Sequence, residues 1–257
     1  VRERKEAGET HPWSKDRIFD ATYFCNVHRE DDTITKWIRS NYTPDTFGEY
    51  YEPAIVAARL FNHIPTLEAL KYELFPFNFR KLHKLLSERI EQGERIWGNA
   101  YVITTNGVQM PKLDYGLNLI EVAAMHLPHR VDLLSLYSKH LQRLRGMGSF
   151  LSGQVVADLK NTRGHHLADA LDWWTFANHG PGSLRGLSWF HDCNITPGIF
   201  KVSIDDCMAY VKEQLRDHPT IDRMCMQDLQ NCLCEFDKYC RVLTGAGRSK
   251  RIYRPKR

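Results

Sequence analysis

The stretch His179-Gly-Pro-Gly-Ser-Leu-Arg-Gly-Leu187 combines residue types able to hold a phosphate. Gly180-Pro181-Gly182-Ser183 forces a backbone turn that can point consecutive N–H groups the same way, and Arg185 adds a permanent cation with a forked donor face. Gly180, Gly182, Ser183 and Arg185 are therefore candidates to clasp a phosphate or pyrophosphate. The same residues also suit a plain connection between two helices. A P-loop is excluded, because no Gly-Lys-Ser/Thr occurs in the chain.

Two more clusters carry polar chemistry. In Phe24-Cys-Asn-Val-His-Arg-Glu-Asp-Asp-Thr-Ile-Thr-Lys-Trp37, a helix would put Asn26, Arg29 and Thr33 on one face and would likewise pair His28 with Asp32. An amide, a guanidinium and carboxylates together suit a binding site or a buried ion-pair seam. In Cys234-Glu-Phe-Asp-Lys-Tyr-Cys-Arg241, Glu235, Lys238 and Tyr239 share a helical face and Asp237 reaches Arg241 at i,i+4. Taken alone, that is a solvated face with salt bridges.

A fourth segment, Leu141-Gln-Arg-Leu-Arg-Gly-Met-Gly-Ser-Phe-Leu-Ser-Gly153, runs a helix into Arg145-Gly146-Met147-Gly148 and starts a new one at Ser149. Glycines two apart permit a sharp turn, and the second helix would aim its unsatisfied N–H groups outward, where a phosphate can sit. The segment resembles the helix-hairpin-helix element of DNA-binding and DNA-repair proteins, with Arg145 where the usual Leu-Pro-Gly-Val-Gly-like turn has proline. A simple helical corner is the alternative. Asp172, in Leu171-Asp-Trp-Trp174, falls about where glycosylases of that type carry a catalytic aspartate for a base flipped from the duplex. Otherwise it is a helix cap or a surface carboxylate.

Cysteine spacing points away from a metal cluster. Cys225, Cys232, Cys234 and Cys240 fall in a helical pattern, and at about 100° per residue Cys232 and Cys234 face nearly opposite ways. They read as core thiols, and the odd total of seven fits a reducing compartment.

Helices must position all of these groups. The apolar spacing predicts helices over 16–40, 46–63, 67–74, 78–92, 117–127, 131–144, 150–159, 204–215 and 221–242. Only Tyr101-Val-Ile-Thr-Thr followed by Asn106-Gly107 favours a strand turn, so we expect an all-α fold with at most one short β-hairpin near 101–110. The expected organisation is an N-terminal extension (1–13), one helical domain (14–244) and a basic tail (245–257). The tail holds Arg248, Lys250, Arg251, Arg254, Lys256 and Arg257 without an acid, whereas the rest has slightly more acid than base. It is either an arm for phosphate backbones or a solubilising terminus. No run approaches the roughly 20 apolar residues of a membrane span, and the polar start is no secretion signal. We therefore expect no membrane partner and a cytoplasmic location.

In this order, the motifs resemble the α-glutamyl/putrescinyl thymine pyrophosphorylases of phages and fungi and the related helical domain of 5-hydroxymethyluracil DNA kinases. The resemblance runs from about Trp13 to Arg248 and is most specific at 24–37, 146–158, 180–187 and 234–239. It implies a helix-hairpin-helix glycosylase-like fold adapted to thymine hypermodification, in which an amino acid or polyamine displaces pyrophosphate from 5-pyrophosphomethyl-uracil in double-stranded DNA. Arg145, Gly146, Gly148 and Ser149 would then grip the duplex. Arg185 and the Gly180–Ser183 turn would take the pyrophosphate, helped by Asn26, Arg29 or Lys238. Asp172, then Asp32 or Glu235, would deprotonate the amine. Mg²⁺ could accompany the pyrophosphate, and no resident metal is expected. A functional link to a 5-hydroxymethyluracil DNA kinase and action in a phage-infected cell follow from the same likeness. The competing readings are a glycosylase for a modified pyrimidine and a non-catalytic DNA-binding module.

Overall fold

The computed structural model describes residues 4, 7–100, 103–105, 108–127 and 130–247. In chain order its helices are α1 (Arg17–Ala21), α2 (Thr33–Asn41), α3 (Pro44–Phe47), α4 (Tyr51–Phe61), α5 (Ile64–Leu70), α6 (Phe79–Glu91), α7 (Lys112–His126), α8 (Leu134–Leu141), α9 (Ser149–Lys160), α10 (Pro181–His191), α11 (Phe200–Gln214) and α12 (Met226–Leu243). The fold is all-α, with no strand among the described residues. Tyr101, Val102, Asn106 and Gly107 of the expected hairpin lie outside those residues, as does the tail from 248 on; 103–105 and 108–110 are not strand.

Two compact units divide the chain, residues 30–178 and residues 1–29 with 179–257. In the first, α4 is the central helix. Ala54, Ile55, Val56, Ala57, Ala58 and Phe61 are fully buried, so this helix is apolar on every side but one. Glu52 in its first turn and Arg59 are the charged exceptions, and Arg59 is buried too. Helix α4 packs against α7 and α9, with α8 on α9 and α6 on α7. Capping sets the ends: Asn78 accepts from the Lys81 N–H to start α6, and Gly93, at φ 79°, follows its last turn.

In the second unit, α10 lies so close to α12 that side chains are excluded from the seam. A Cβ on Gly186 would stand 2.2 Å from the Leu233 carbonyl oxygen, and one on Gly182 would stand 3.1 Å from Cys234 Sγ. Ser183, Leu187, Ile204, Leu229 and Leu233 are buried in this unit.

Two sequence expectations need correction. The pattern over 16–40 is not one helix. Asp16 caps α1, which ends at an extended Thr22, and Asp32 caps a separate α2 after a 3-10 turn at Arg29–Asp31. Each aspartate offers the backbone a start, and two starts 16 residues apart outcompete one continuous helix. Asn26, Arg29 and Thr33 therefore share no helical face, nor do His28 and Asp32. The Gly-Pro-Gly-Ser stretch is also not a connection: Gly180 precedes and Pro181 opens an 11-residue helix. Proline at the first helical position lacks only an N–H the helix would not use.

Candidate functional site

In the 30–178 unit, the turn between α8 and α9 is built as the glycine spacing predicts. Gly146 adopts φ 102°, and a Cβ there would lie 2.6 Å from the Tyr115 hydroxyl oxygen. Only glycine meets both conditions. Met147 turns inward and is buried, while Arg145 and Gly148 are exposed at the start of α9. Asn178 ties the two helices together: its Nδ2 donates to Ser138 Oγ (2.6 Å), Ser149 O (2.8 Å) and Ser152 Oγ (3.0 Å). The corner is thus tied to both helices, with Arg143, Arg145 and the Gly148 start of α9 exposed.

Asp172 has a defined structural task. Its Oδ1 accepts from Leu134 N (2.7 Å) and its Oδ2 from Ser135 N (2.9 Å), so it caps α8 from 38 residues away. Asp32 does the same locally for α2, accepting from Thr35 N at 3.0 Å. Asp172→Ala should cost roughly 1–2 kcal/mol of stability, as loss of a charged cap does, read as a lower urea midpoint at unchanged slope. An unmoved midpoint would show that α8 does not depend on this carboxylate.

In the other unit, residues 23–29 lie along α12 as a strap. Glu235 accepts from the Cys25 N–H (3.1 Å) and from Lys238 Nζ (2.5 Å), and Lys238 also donates to Tyr23 O (3.2 Å). Asn231 donates to Asn26 O, and the Arg29 N–H donates to Asp228 Oδ1 at 3.0 Å. His28 Nδ1 sits 3.5 Å from Asp228 Oδ2, both side chains being nearly enclosed. Two of the sequence clusters are therefore one assembly, which spacing alone did not reveal.

Arg185 is anchored on this side. Its Nε and Nη2 reach both oxygens of Asp237 at 2.8–3.1 Å, and Asp237 also accepts from Arg241 Nε (3.2 Å) and Trp189 Nε1 (3.3 Å). The hydrogen bond to Asp237 holds the Arg185 guanidinium above its ordinary pKa. Asp237 is buried, whereas the side chains of Arg185 and Arg241 are 52% and 37% exposed. One carboxylate shared by two guanidinia leaves a net positive charge at the surface. Gly180 and Ser183 instead satisfy each other, the Gly180 N–H donating to Ser183 Oγ at 2.9 Å. Gly182 serves the close approach of α10 to α12.

Burial pushes the Cys232 and Cys234 thiols up to about 12, with Asp228 adding to the effect at Cys232 and Glu235 at both. Cys207 is raised to about 11 by burial alone. These three stay protonated and unreactive near neutral pH. Iodoacetamide should therefore label the exposed Cys25 and Cys193 first, leaving 207, 232 and 234 unmodified in the folded protein. Early labelling of Cys232 or Cys234 by peptide mass spectrometry would contradict this.

Sequence reasoning missed two networks in the 30–178 unit, one buried and one part-buried. Arg59 Nε and Nη2 bind both oxygens of Asp158, and Arg59 also donates to Thr35 Oγ1 (3.0 Å). Nearby, Arg39 donates to Asp158 O and Thr162 Oγ1. Separately, Glu52 accepts from the Tyr137 hydroxyl and pairs with His165. In each network a charged residue stands within an otherwise apolar helical run, at Arg59, Asp158 and Glu52, and that was the available signal.

The hairpin residues, Asp172 and Asp32 thus belong to one unit, and Asn26, Arg29, Gly180, Gly182, Ser183, Arg185, Glu235 and Lys238 to the other. Comparison with curated proteins and with solved structures gave no match. A family model described as 5-hmdU DNA kinase, helical domain, matches residues 1–249. With nearly the whole chain covered, the protein belongs to that family of helical domains.

Proposed function

We propose that the chain transfers an amino acid or polyamine onto 5-pyrophosphomethyl-uracil in double-stranded DNA, releasing pyrophosphate. The observation that carries this reading is the family match over residues 1–249, in a chain whose sequence has no Walker A lysine of its own. In the reaction the amine nitrogen bonds to the exocyclic methylene carbon, the carbon–oxygen bond to pyrophosphate breaks, and the amine loses a proton.

Departure of pyrophosphate builds negative charge, which the surplus cation of Arg185 and Arg241 on Asp237 would meet. The exposed Arg145 and the open start of α9 would take the DNA backbone, offsetting the few kcal/mol needed to extrude a nucleotide. Asp172 remains the first candidate base, with Asp32 and Glu235 behind it; Lys238, Asn26 and Arg29 would assist at the leaving group. Mg²⁺, an oxygen-seeking ion, would travel with the pyrophosphate.

One observation favours a second reading. Asp172, Asp32 and Glu235 each already accept backbone N–H bonds that hold the fold. A chain whose three candidate bases are so committed would serve as a DNA-binding module accompanying a 5-hydroxymethyluracil DNA kinase. Incubating pyrophosphomethyl-uracil DNA with the protein and glycine, serine, glutamate or putrescine, followed by nucleoside mass spectrometry, separates the readings. An amine-adducted nucleoside supports transfer. Abasic sites would reassign the chain as a glycosylase, and DNA binding without product as a module.

A further inference from the structure

We propose that Glu52, His165 and His166 bind one divalent transition-metal ion of the zinc type. The site goes beyond the transfer reaction and does not depend on it. All three residues belong to the 30–178 unit. Glu52 stands in the first turn of α4, and His165 immediately precedes the 3-10 turn His166–Asp169. One donor atom from each lies within 4.8 Å of the other two, and Glu52 Oε1 is 3.0 Å from His165 Nε2.

The second observation is an orphan. His166 Nε2 is buried with no hydrogen-bond partner among the described residues. Buried polar atoms almost always have one, and a metal ion supplies what this nitrogen lacks. Two imidazoles and a carboxylate form the donor set of Zn²⁺ and its neighbours, with a fourth position left for water or a substrate oxygen. Mg²⁺, which prefers oxygen ligands throughout, fits poorly.

The surroundings prepare the ligands. The Tyr137 hydroxyl donates to Glu52 Oε2, fixing the carboxylate in the way second-sphere partners orient metal ligands. Burial, reinforced by the Glu52 charge, keeps that phenol protonated, so it remains a donor. Burial would raise the Glu52 carboxyl, but the bonds from His165 and Tyr137 more than offset it and keep it ionised. Burial and the neighbouring His165 hold His166 below its ordinary pKa. Loading requires one rearrangement. His165 Nδ1 accepts from the Leu167 N–H at 3.3 Å, a long contact. With Nε2 on the metal, the single imidazole proton moves to Nδ1 and that contact is given up.

The test uses the full chain, free of any affinity tag, stripped with a chelator and then offered ZnCl₂. Elemental analysis after gel filtration should find about one zinc per chain, and Tm should rise with Zn²⁺ but not with Mg²⁺. His166→Ala should lose both responses, and Glu52→Gln should weaken binding on the order of tenfold or more. His126→Ala, at an exposed position elsewhere in the same unit, should behave as wild type. Wild-type protein holding no stoichiometric zinc would overturn the proposal without any variant, and so would undiminished binding by His166→Ala.

Discussion

Asp158→Ala should destabilise the 30–178 unit by roughly 3–5 kcal/mol, the cost of leaving a buried cation without its partner. Asp158 is fully enclosed, and Arg59, its bidentate partner, is only 3% exposed. The guanidinium cannot turn to water, so it stays charged and enclosed, and its bonds to Thr35 and Asn62 do not replace the lost carboxylate. Removing both charges is a different matter, because a buried ion pair replaced by apolar groups is often neutral or better. Arg59→Met in the Asp158→Ala background should recover much of the loss. Urea midpoints of the two single variants and the double variant measure the coupling. Simple additivity of the two losses would mean that the pair does not act as a unit.

Gly186→Ala should cost roughly 3 kcal/mol through overpacking. The added methyl would meet Leu233 O at 2.2 Å and Leu233 C at 2.8 Å. Those are backbone atoms of α12 and cannot swing aside as a side-chain tip can, so α10 and α12 must part along the whole seam. Arg185 sits next to this glycine and draws its geometry from the same contact, so the change should also disturb its hold on Asp237. Gly148→Ala is the matched control. Its φ is −74° and nothing lies within 4 Å of the new atom, leaving a cap effect of about 1 kcal/mol or less. Equal thermal shifts for the two variants would contradict the close-packed seam.

What the chain disclosed of its own structure follows from the range of each interaction. Asn78 before an amphipathic run and Gly93 after it bracket α6 correctly, because a cap and a stop are decided within a few residues. The turn at Gly146 and the start of α9 were legible for the same reason. Local rules failed where two compete: the apolar spacing over 16–40 favours one helix, but capping by Asp16 and Asp32 breaks it in two. The glycines of α10 were read as turn formers when they serve to admit α12, a contact spacing cannot announce.

The candidate site was legible only in part. A cap was one of the uses foreseen for Asp172, yet the helix it caps lies 38 positions upstream. Glu235 meets the backbone of Cys25 across 210 residues, and Arg59 finds Asp158 across 99. Pairing at such separations is decided by packing, which a single sequence does not encode in any local pattern. Residue type pointed to chemistry; the partners, which decide whether a charge is available, came from the fold.

The most direct test of the proposed reaction is to count pyrophosphate. Under single-turnover conditions, with duplex DNA carrying 5-pyrophosphomethyl-uracil and each amine in turn, one amine should release one pyrophosphate for every adducted base, and omission of the amine should leave the leaving group in place. Intact pyrophosphomethyl-uracil after prolonged incubation with every donor, under conditions where the protein demonstrably binds the duplex, would contradict the account.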